Sequence, residues 1–271
     1  MKTVKWLIST AVAGSFLLSA APRTIYVTRH GQASYRINYD KKAGEQWLTD
    51  LGREQAKRLA DYLKAKGFHG TIYCSPLLRT LETASFTARA IGSPITLCPE
   101  IQEVADYDRP EPRGMNMNEI LERFPGNLIR KSPALQPGWR LYQENGKARM
   151  TRIGNAWKKI LAESKGDLLL VSHGGIVKNL LEYLNRHEKA DITGQAWNCC
   201  LFIFTVNEKN QIIRSEKTLE YLPKDIVTDN FRCPLVERPQ DRAYMTRIQD
   251  QEDMRRRAAA KKKKQERKQG Q

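Results

Sequence analysis

At 271 residues, 40% hydrophobic and 28% charged, the chain carries enough apolar side chain to bury a core, which excludes disorder throughout its length. The length admits one large domain or two small ones, and no internal stretch reads as a clean linker, so one folded domain with appended ends is expected. The net charge of +16 is lopsided, because residues 255–271 hold nine Lys or Arg against one Glu, half of the total.

Met1-Lys2-Thr3-Val4-Lys5 precedes an uncharged run from Trp6 to Pro22 that contains Leu7, Ile8, Val12, Phe16, Leu17 and Leu18. With the small residues Ser19, Ala20 and Ala21 near its end, the run has the form of a secretory signal peptide cleaved after Ala20. Its 17 residues lie at the short limit for spanning a bilayer, so a retained membrane anchor over residues 6–22 is the alternative. The expected location of the folded part is extracytoplasmic, secreted or periplasmic, or else beside a membrane.

Thr24 to Thr28 reads as a strand. After a polar stretch to Trp47, Leu48-Thr49-Asp50 opens a helix with Ala56, Leu59, Ala60 and Leu63 at helical spacing, Thr49 as its N-cap and Gly67 as its stop. Ile72-Tyr73-Cys74 is a short strand. Ser75-Pro76 is a cap followed by proline, which starts a helix to about Ile91 and puts Arg79 in its first turn. Pro94 to Cys98 is a further strand, followed by an irregular acidic segment with Glu100, Glu103, Asp106 and Asp108. Two stretches rich in Pro, Gly and Asn, Pro110 to Gly114 and Ser132 to Gly146, bracket a short helix near Asn118 to Phe124 and are candidates for a lid. Met150 to Ser164 is a longer helix, Leu168 to Ser172 a strand and Ile176 to Leu184 the next helix. Cys199 to Val206 and Ile212 to Leu219 then form a hairpin around Asn207-Glu208-Lys209-Asn210. This order predicts an α/β layered fold whose sheet is largely parallel with an antiparallel edge.

Beyond the hairpin, the basic block at 255–271 reads as a solvated tail, with adhesion to an anionic surface as the sharper alternative. No aromatic interleaves it, which disfavours nucleic acid as a partner. The five cysteines, Cys74, Cys98, Cys199, Cys200 and Cys233, lack the paired spacing of a metal site or a disulfide framework, so most are expected to be buried structural thiols. An odd count is awkward for an exported protein, although one disulfide with three free thiols is allowed.

Two of the strands end alike, the first in Arg29-His30-Gly31 and the later one in Ser172-His173-Gly174-Gly175. A strand end followed by glycine and a helix is where an α/β sheet presents side chains and backbone N–H groups to an anion, and this favours phosphate chemistry. Together with Ser75-Pro76-Leu77-Leu78-Arg79-Thr80, these segments resemble the histidine phosphatase superfamily, the phosphoglycerate-mutase-like enzymes, over roughly residues 24–220. One Arg-His-Gly arises by chance, whereas three motifs in order at strand-to-helix junctions make the resemblance specific. It implies a three-layer α/β/α sandwich with a mostly parallel mixed sheet, and a histidine phosphatase domain over residues 23–222 between an N-terminal segment, 1–22, and a C-terminal extension, 223–271.

By this resemblance His30 is the nucleophile and forms a phosphohistidine. Imidazole attacks only when neutral, and the cations at Arg29 and Arg79 disfavour its protonation. Arg29, Arg79 and His173 hold the phosphoryl oxygens, and Gly174 is a further substrate-binding residue. The resemblance also implies that Glu103 protonates the leaving oxygen and then activates water, with Glu100 and Asp106 as fallbacks. There is no His-x-x-x-His pair, and Asp106-Tyr107-Asp108 reads as solvated loop carboxylates, so neither metal nor cofactor is expected.

Three departures limit what the resemblance carries. Arg36 stands where many relatives have an asparagine six residues beyond the nucleophile, and Tyr35 replaces the preceding tryptophan; Arg36 is a candidate for a second anionic part of the substrate. The glycine-tryptophan-glutamate-glycine run after the acid is missing, and no mutase-type segment separates the nucleophile from the first helix. A phosphatase is favoured over a mutase. His69 and His187 read as loop or capping residues, and Trp139, Tyr142 and Trp157 as core. The leading expectation is a metal-independent phosphomonoester hydrolase acting through His30 on a small molecule, an envelope phosphate or a phosphoprotein. A phosphoglycerate-type phosphomutase and a catalytically weak protein that binds anionic surfaces through its tail are the competing readings.

Overall fold

The computed structural model describes residues 21–33, 46–103 and 114–228. Residues 1–20, Tyr35, Arg36, the Asp106-Tyr107-Asp108 loop, Cys233 and the basic tail lie outside the described residues. Within them the chain runs β1 (Arg23–Arg29), α1 (Asp50–Ala65), β2 (Thr71–Cys74), α2 (Leu78–Ile91), β3 (Ile95–Leu97), a 3-10 turn (Pro99–Ile101), α3 (Met117–Arg123), β4 (Ile129–Arg130), α4 (Gly146–Glu163), β5 (Leu168–Ser172), α5 (Gly174–His187), β6 (Leu201–Val206), β7 (Ile212–Thr218) and a final 3-10 turn (Lys224–Ile226).

The strands form one sheet in the order β4-β3-β2-β5-β1-β6-β7, parallel up to β1 and antiparallel through β6 and β7. Alternate side chains of each central strand enter opposite cores. Tyr26, Ile72, Leu169, Leu201 and Ile203 pack with α1, α2 and α3, while Ile25, Val27, Tyr73, Leu168, Leu170, Phe202 and Phe204 pack with α4 and α5. The chain is therefore a three-layer α/β/α sandwich. A strand covered on both faces has no polar side to show, which is why β5 is the apolar run Leu168-Leu169-Leu170-Val171.

Caps account for the helix starts. Thr49 Oγ1 accepts from Gly52 N at 2.9 Å at the head of α1. Asn116 and Glu119 form a reciprocal capping box on α3, and Asn145 Oδ1 accepts from Ala148 N at 2.9 Å on α4. The Asn145 cap starts α4 at Gly146, four residues before the expected start, because the apolar spacing that marks a helix becomes visible only further on. Likewise α5 starts at Gly174 rather than Ile176. The expected cap at Ser75 is corrected: α2 begins at Leu78 with Leu77 in the cap position and no side-chain cap bond, because the Ser75 hydroxyl is engaged across the sheet.

Part of the second lid candidate is anchored to the body. Leu135 is buried in the α1/α2-side core, and Trp139 Nε1 donates to Met115 O at 2.7 Å. Trp157 is fully buried as expected, whereas Tyr142 is exposed and lies 4.9 Å over the Arg152 guanidinium instead of in the core. His187, at the end of α5, stacks near Tyr183 with ring centroids 4.7 Å apart.

Candidate active site

The sheet register creates the site. Parallel β1 and β5 are neighbours with Arg29 opposite Ser172, and β2 pairs on the other side of β5 with Cys74 opposite Val171. The next residues, His30 and His173, therefore leave adjacent strands side by side, with Ser75 one residue back across β5, all at the carboxyl edge where open parallel sheets bind ligands. His30 N donates to Ser172 O at 2.9 Å and Ser75 N to Val171 O at 3.1 Å, carrying the ladder one step past the strands. The His30 and His173 rings lie 5.3 Å apart at 65°, with His30 2% and His173 0% exposed.

Hydrogen bonds assign the nitrogens of His30. Nδ1 lies 2.7 Å from Gly31 O, and a carbonyl only accepts, so Nδ1 carries the proton and Nε2 keeps its lone pair. Arg79, in the first turn of α2, donates from Nε to that same Nε2 at 3.2 Å. Arg29 points to the same edge, its Nη1 donating to Ala196 O at 3.1 Å, and it is buried.

Glycines let the other charged groups approach. A Cβ on Gly174 would come within 3.1 Å of the Arg29 guanidinium carbon, and one on Gly175 within 2.9 Å of Glu103 Oε1. Arg29 and Glu103 thus both lie against the first residues of α5, where backbone N–H groups and the helix dipole favour an anion. The segment bearing Glu103 is tied down at its start. Arg152 on α4 reaches Glu100 O through Nη1, while its Nε lies 3.0 Å from Glu144 Oε2, and Ser172 Oγ donates to Ile101 O at 2.6 Å.

Burial, followed by the Arg79 guanidinium, by proximity to His30 and by the Arg29 and Arg152 guanidinium groups, holds the titration of His173 well below the usual histidine range, so this ring is neutral at neutral pH. Burial also pushes the thiols of Cys74, Cys98 and Cys199 up and that of Cys200 up to about 12. These four are free thiols packed in the cores, and none offers a thiolate near neutrality. Glu100, a fallback acid, is engaged elsewhere, with Lys159 Nζ 3.4 Å from its Oε1 and Cys98 Sγ 3.4 Å from its Oε2.

The sequence profile of the histidine phosphatase superfamily (branch 1) matches residues 25–217, the span from β1 to the end of β7. The chain belongs to the histidine phosphatase superfamily. Among curated relatives, a Gallus gallus 6-phosphofructo-2-kinase/fructose-2,6-bisphosphatase is 25% identical over 184 residues, 67% of this chain and 35% of that protein. The chain therefore spans about a third of the length of such relatives. A 2,3-bisphosphoglycerate-dependent phosphoglycerate mutase of Parvibaculum lavamentivorans is 22% identical over 210 residues, 73% of this chain and 98% of that one. Among solved structures, the ecdysone phosphate phosphatase of Bombix mori, in complex with tungstate, superposes with a TM-score of 0.54 at 16% identity, covering 74% of this chain and 93% of that one. Bacillus stearothermophilus YhfR does so with 0.51 at 22%, covering 75% and 99%. Both superpositions show the shared fold.

In this member of the superfamily the structure gathers Arg29, His30, Arg79, Glu103, His173 and Gly174 at one edge, while Arg36 lies outside the described residues. A second shell had no motif to announce it. Gln32 N donates to Gln55 Oε1 at 2.8 Å, Gln55 Nε2 to Thr228 Oγ1 at 3.0 Å, Thr228 Oγ1 to Asn198 Oδ1 at 2.8 Å, and Asn198 Nδ2 to His30 O at 2.8 Å. This chain of buried amides and hydroxyls fixes the backbone that carries His30. Thr83 adds a link from α2, accepting from Gly31 N at 3.0 Å and donating to Arg79 O at 2.7 Å. Among them Gln55 and Thr83 gave an advance signal, as polar residues on the buried faces of α1 and α2.

Proposed function

We propose that this protein is a phosphomonoester hydrolase that works without a metal through a phosphohistidine on Nε2 of His30. The observation that carries this reading is the Nδ1–Gly31 O bond, which leaves Nε2 as a nucleophile beside the Arg79 guanidinium and the neutral His173 ring. Arg29, Arg79, His173 and the backbone at Gly174 hold the phosphoryl oxygens. The Nε2–P bond forms as the P–O bond to the leaving group breaks, and the Glu103 carboxyl gives its proton to the departing oxygen. Water then attacks phosphorus, Glu103 takes its proton, and the Nε2–P bond breaks to release phosphate. Guanidinium groups supply the positive charge that stabilises the transferring group.

Trapping tests this. Radiolabelled phosphoester should give an acid-labile, alkali-stable phosphoenzyme in the wild type and none in His30→Ala, and a chelator should leave turnover unchanged. Label that persists in His30→Ala rejects the nucleophile. The mutase relative favours a second reading; a requirement for a bisphosphate primer, with phosphate retained on the product, would establish it over hydrolysis.

Two further features belong to the same proposal. The basic block at 255–271 is a tether to anionic surfaces near the phosphorylated substrate. The apolar N-terminal run exports the protein, or anchors it if uncleaved, and sequencing of the mature N-terminus decides between the two.

A further inference from the structure

The Ser75 hydroxyl, whose local sequence context marks a helix cap, bonds instead to a ring 98 residues away. Ser75 Oγ lies 2.8 Å from His173 Nε2, and Ser75 and His173 are both fully buried. The backbone of Ser75 is engaged separately, its N–H with Val171 O and its carbonyl with the Thr80 hydroxyl at 2.8 Å. Among the described residues the hydroxyl has His173 Nε2 as its one hydrogen-bonding neighbour, while Nδ1 of the same ring is buried with no hydrogen-bond partner.

The proton count allows two arrangements for a neutral ring. If Nε2 carries the ring proton and donates to Ser75, the hydroxyl proton has no acceptor, and Nδ1 turns a lone pair toward a site that must hold an anion. If the hydroxyl donates to Nε2, its proton is satisfied and Nδ1 carries an N–H. With an anion bound, the first arrangement still leaves the hydroxyl donor without an acceptor, at a cost of about 1–3 kcal/mol, whereas in the second the anion accepts from Nδ1–H and both donors are met, which selects the second arrangement. We propose that Ser75 is a positioning residue that donates to His173 Nε2 and thereby holds this histidine in its Nδ1–H tautomer, making Nδ1 the donor to a phosphoryl oxygen. An unconstrained imidazole in water favours the opposite tautomer, so the serine hydroxyl acts against an intrinsic preference. The two histidines then share a tautomer for opposite ends. In His30 a carbonyl draws the proton to Nδ1 and frees Nε2 to attack, and in His173 a hydroxyl occupies Nε2 and frees Nδ1–H to bind.

The inference rests on the reading of the site as a phosphoryl pocket, but its first readout needs no turnover. Long-range proton–nitrogen NMR of the full chain with isotope-labelled histidine and bound orthovanadate is expected to show His173 protonated at Nδ1 and bare at Nε2. Ser75→Ala should move the proton to Nε2 and weaken both orthovanadate binding and kcat/KM for p-nitrophenyl phosphate by about 10- to 100-fold, the range for lost hydrogen bonds that orient an imidazole. Ser75→Thr, which keeps the hydroxyl, should restore the Nδ1–H tautomer and most of the activity. A wild-type ring protonated at Nε2 overturns the proposal, as does a Ser75→Ala protein that loses activity with its tautomer unchanged. The wild-type spectrum alone decides the tautomer if a variant fails to fold. A chain that shows the expected tautomer but forms no phosphoenzyme sinks the phosphatase reading and leaves the Ser75 assignment standing.

Discussion

Because His173 is fully buried beside Arg79, His30, Arg29 and Arg152, the folded chain resists placing a proton on it that the unfolded chain accepts readily. Its folded-state titration lies below the unfolded value of 6.5, so the stability it contributes is complete above that pH and is lost as pH falls toward the folded value. Urea denaturation between about pH 5 and 7.5 should show stability falling on the acid side with a slope of up to about 1.4 kcal/mol per pH unit, and His173→Gln should reduce that slope. A His173→Gln protein with the wild-type slope would mean that other groups carry the acid sensitivity. At this scale the sequence disclosed side chains that the structure brings together, since His30, Arg79 and His173 each stand at a junction whose local pattern is legible. It did not disclose Ser75, because the local signal for a cap and the distant demand of an imidazole compete for one hydroxyl, and only the second is met.

Elements position these side chains, and the buried hydrogen bonds that join them bear on stability as well as rate. Asn198 bridges the His30 carbonyl and the Thr228 hydroxyl, so Asn198→Ala takes a buried donor from the first and the acceptor of the second's proton. A loss of about 1–3 kcal/mol is expected, read as a lower urea midpoint with an unchanged slope, together with a fall in kcat as the nucleophile's backbone loosens. An unchanged midpoint would show that the amide chain is incidental. The strand and helix order was readable from alternation and helical spacing, and the N-cap of α1 was found at Thr49. The starts of α2, α4 and α5 were not, because helix ends are set by backbone hydrogen bonding that apolar spacing does not report. The two-residue β4 escaped notice for a related reason, being a strand by virtue of its pairing with β3 rather than of its own pattern.

On the scale of the whole molecule, half of the net charge lies in a block that contributes none of the described site residues. Deleting residues 255–271 should therefore leave turnover of a small soluble phosphoester intact and abolish binding to vesicles rich in anionic lipid, with wild-type binding that weakens as salt rises. Vesicle binding that survives the deletion would remove the tail's role as a tether. The fold around the site depends on a strand order, β3-β2-β5-β1, that interleaves distant parts of the chain and brings the ends of three parallel strands to one edge. By itself the sequence determined the layers, the largely parallel sheet and the candidate side chains that gather at its edge, because alternation, glycine after a strand and the forked donors of arginine are properties of a few consecutive residues. Tertiary structure alone decided which partner each nitrogen of His30 meets, that Ser75 serves a ring instead of a helix, and which polar residues brace the His30 backbone. Those outcomes rest on hydrogen bonds between groups far apart in the chain, and such bonds exist only once strand order and register have set them within reach.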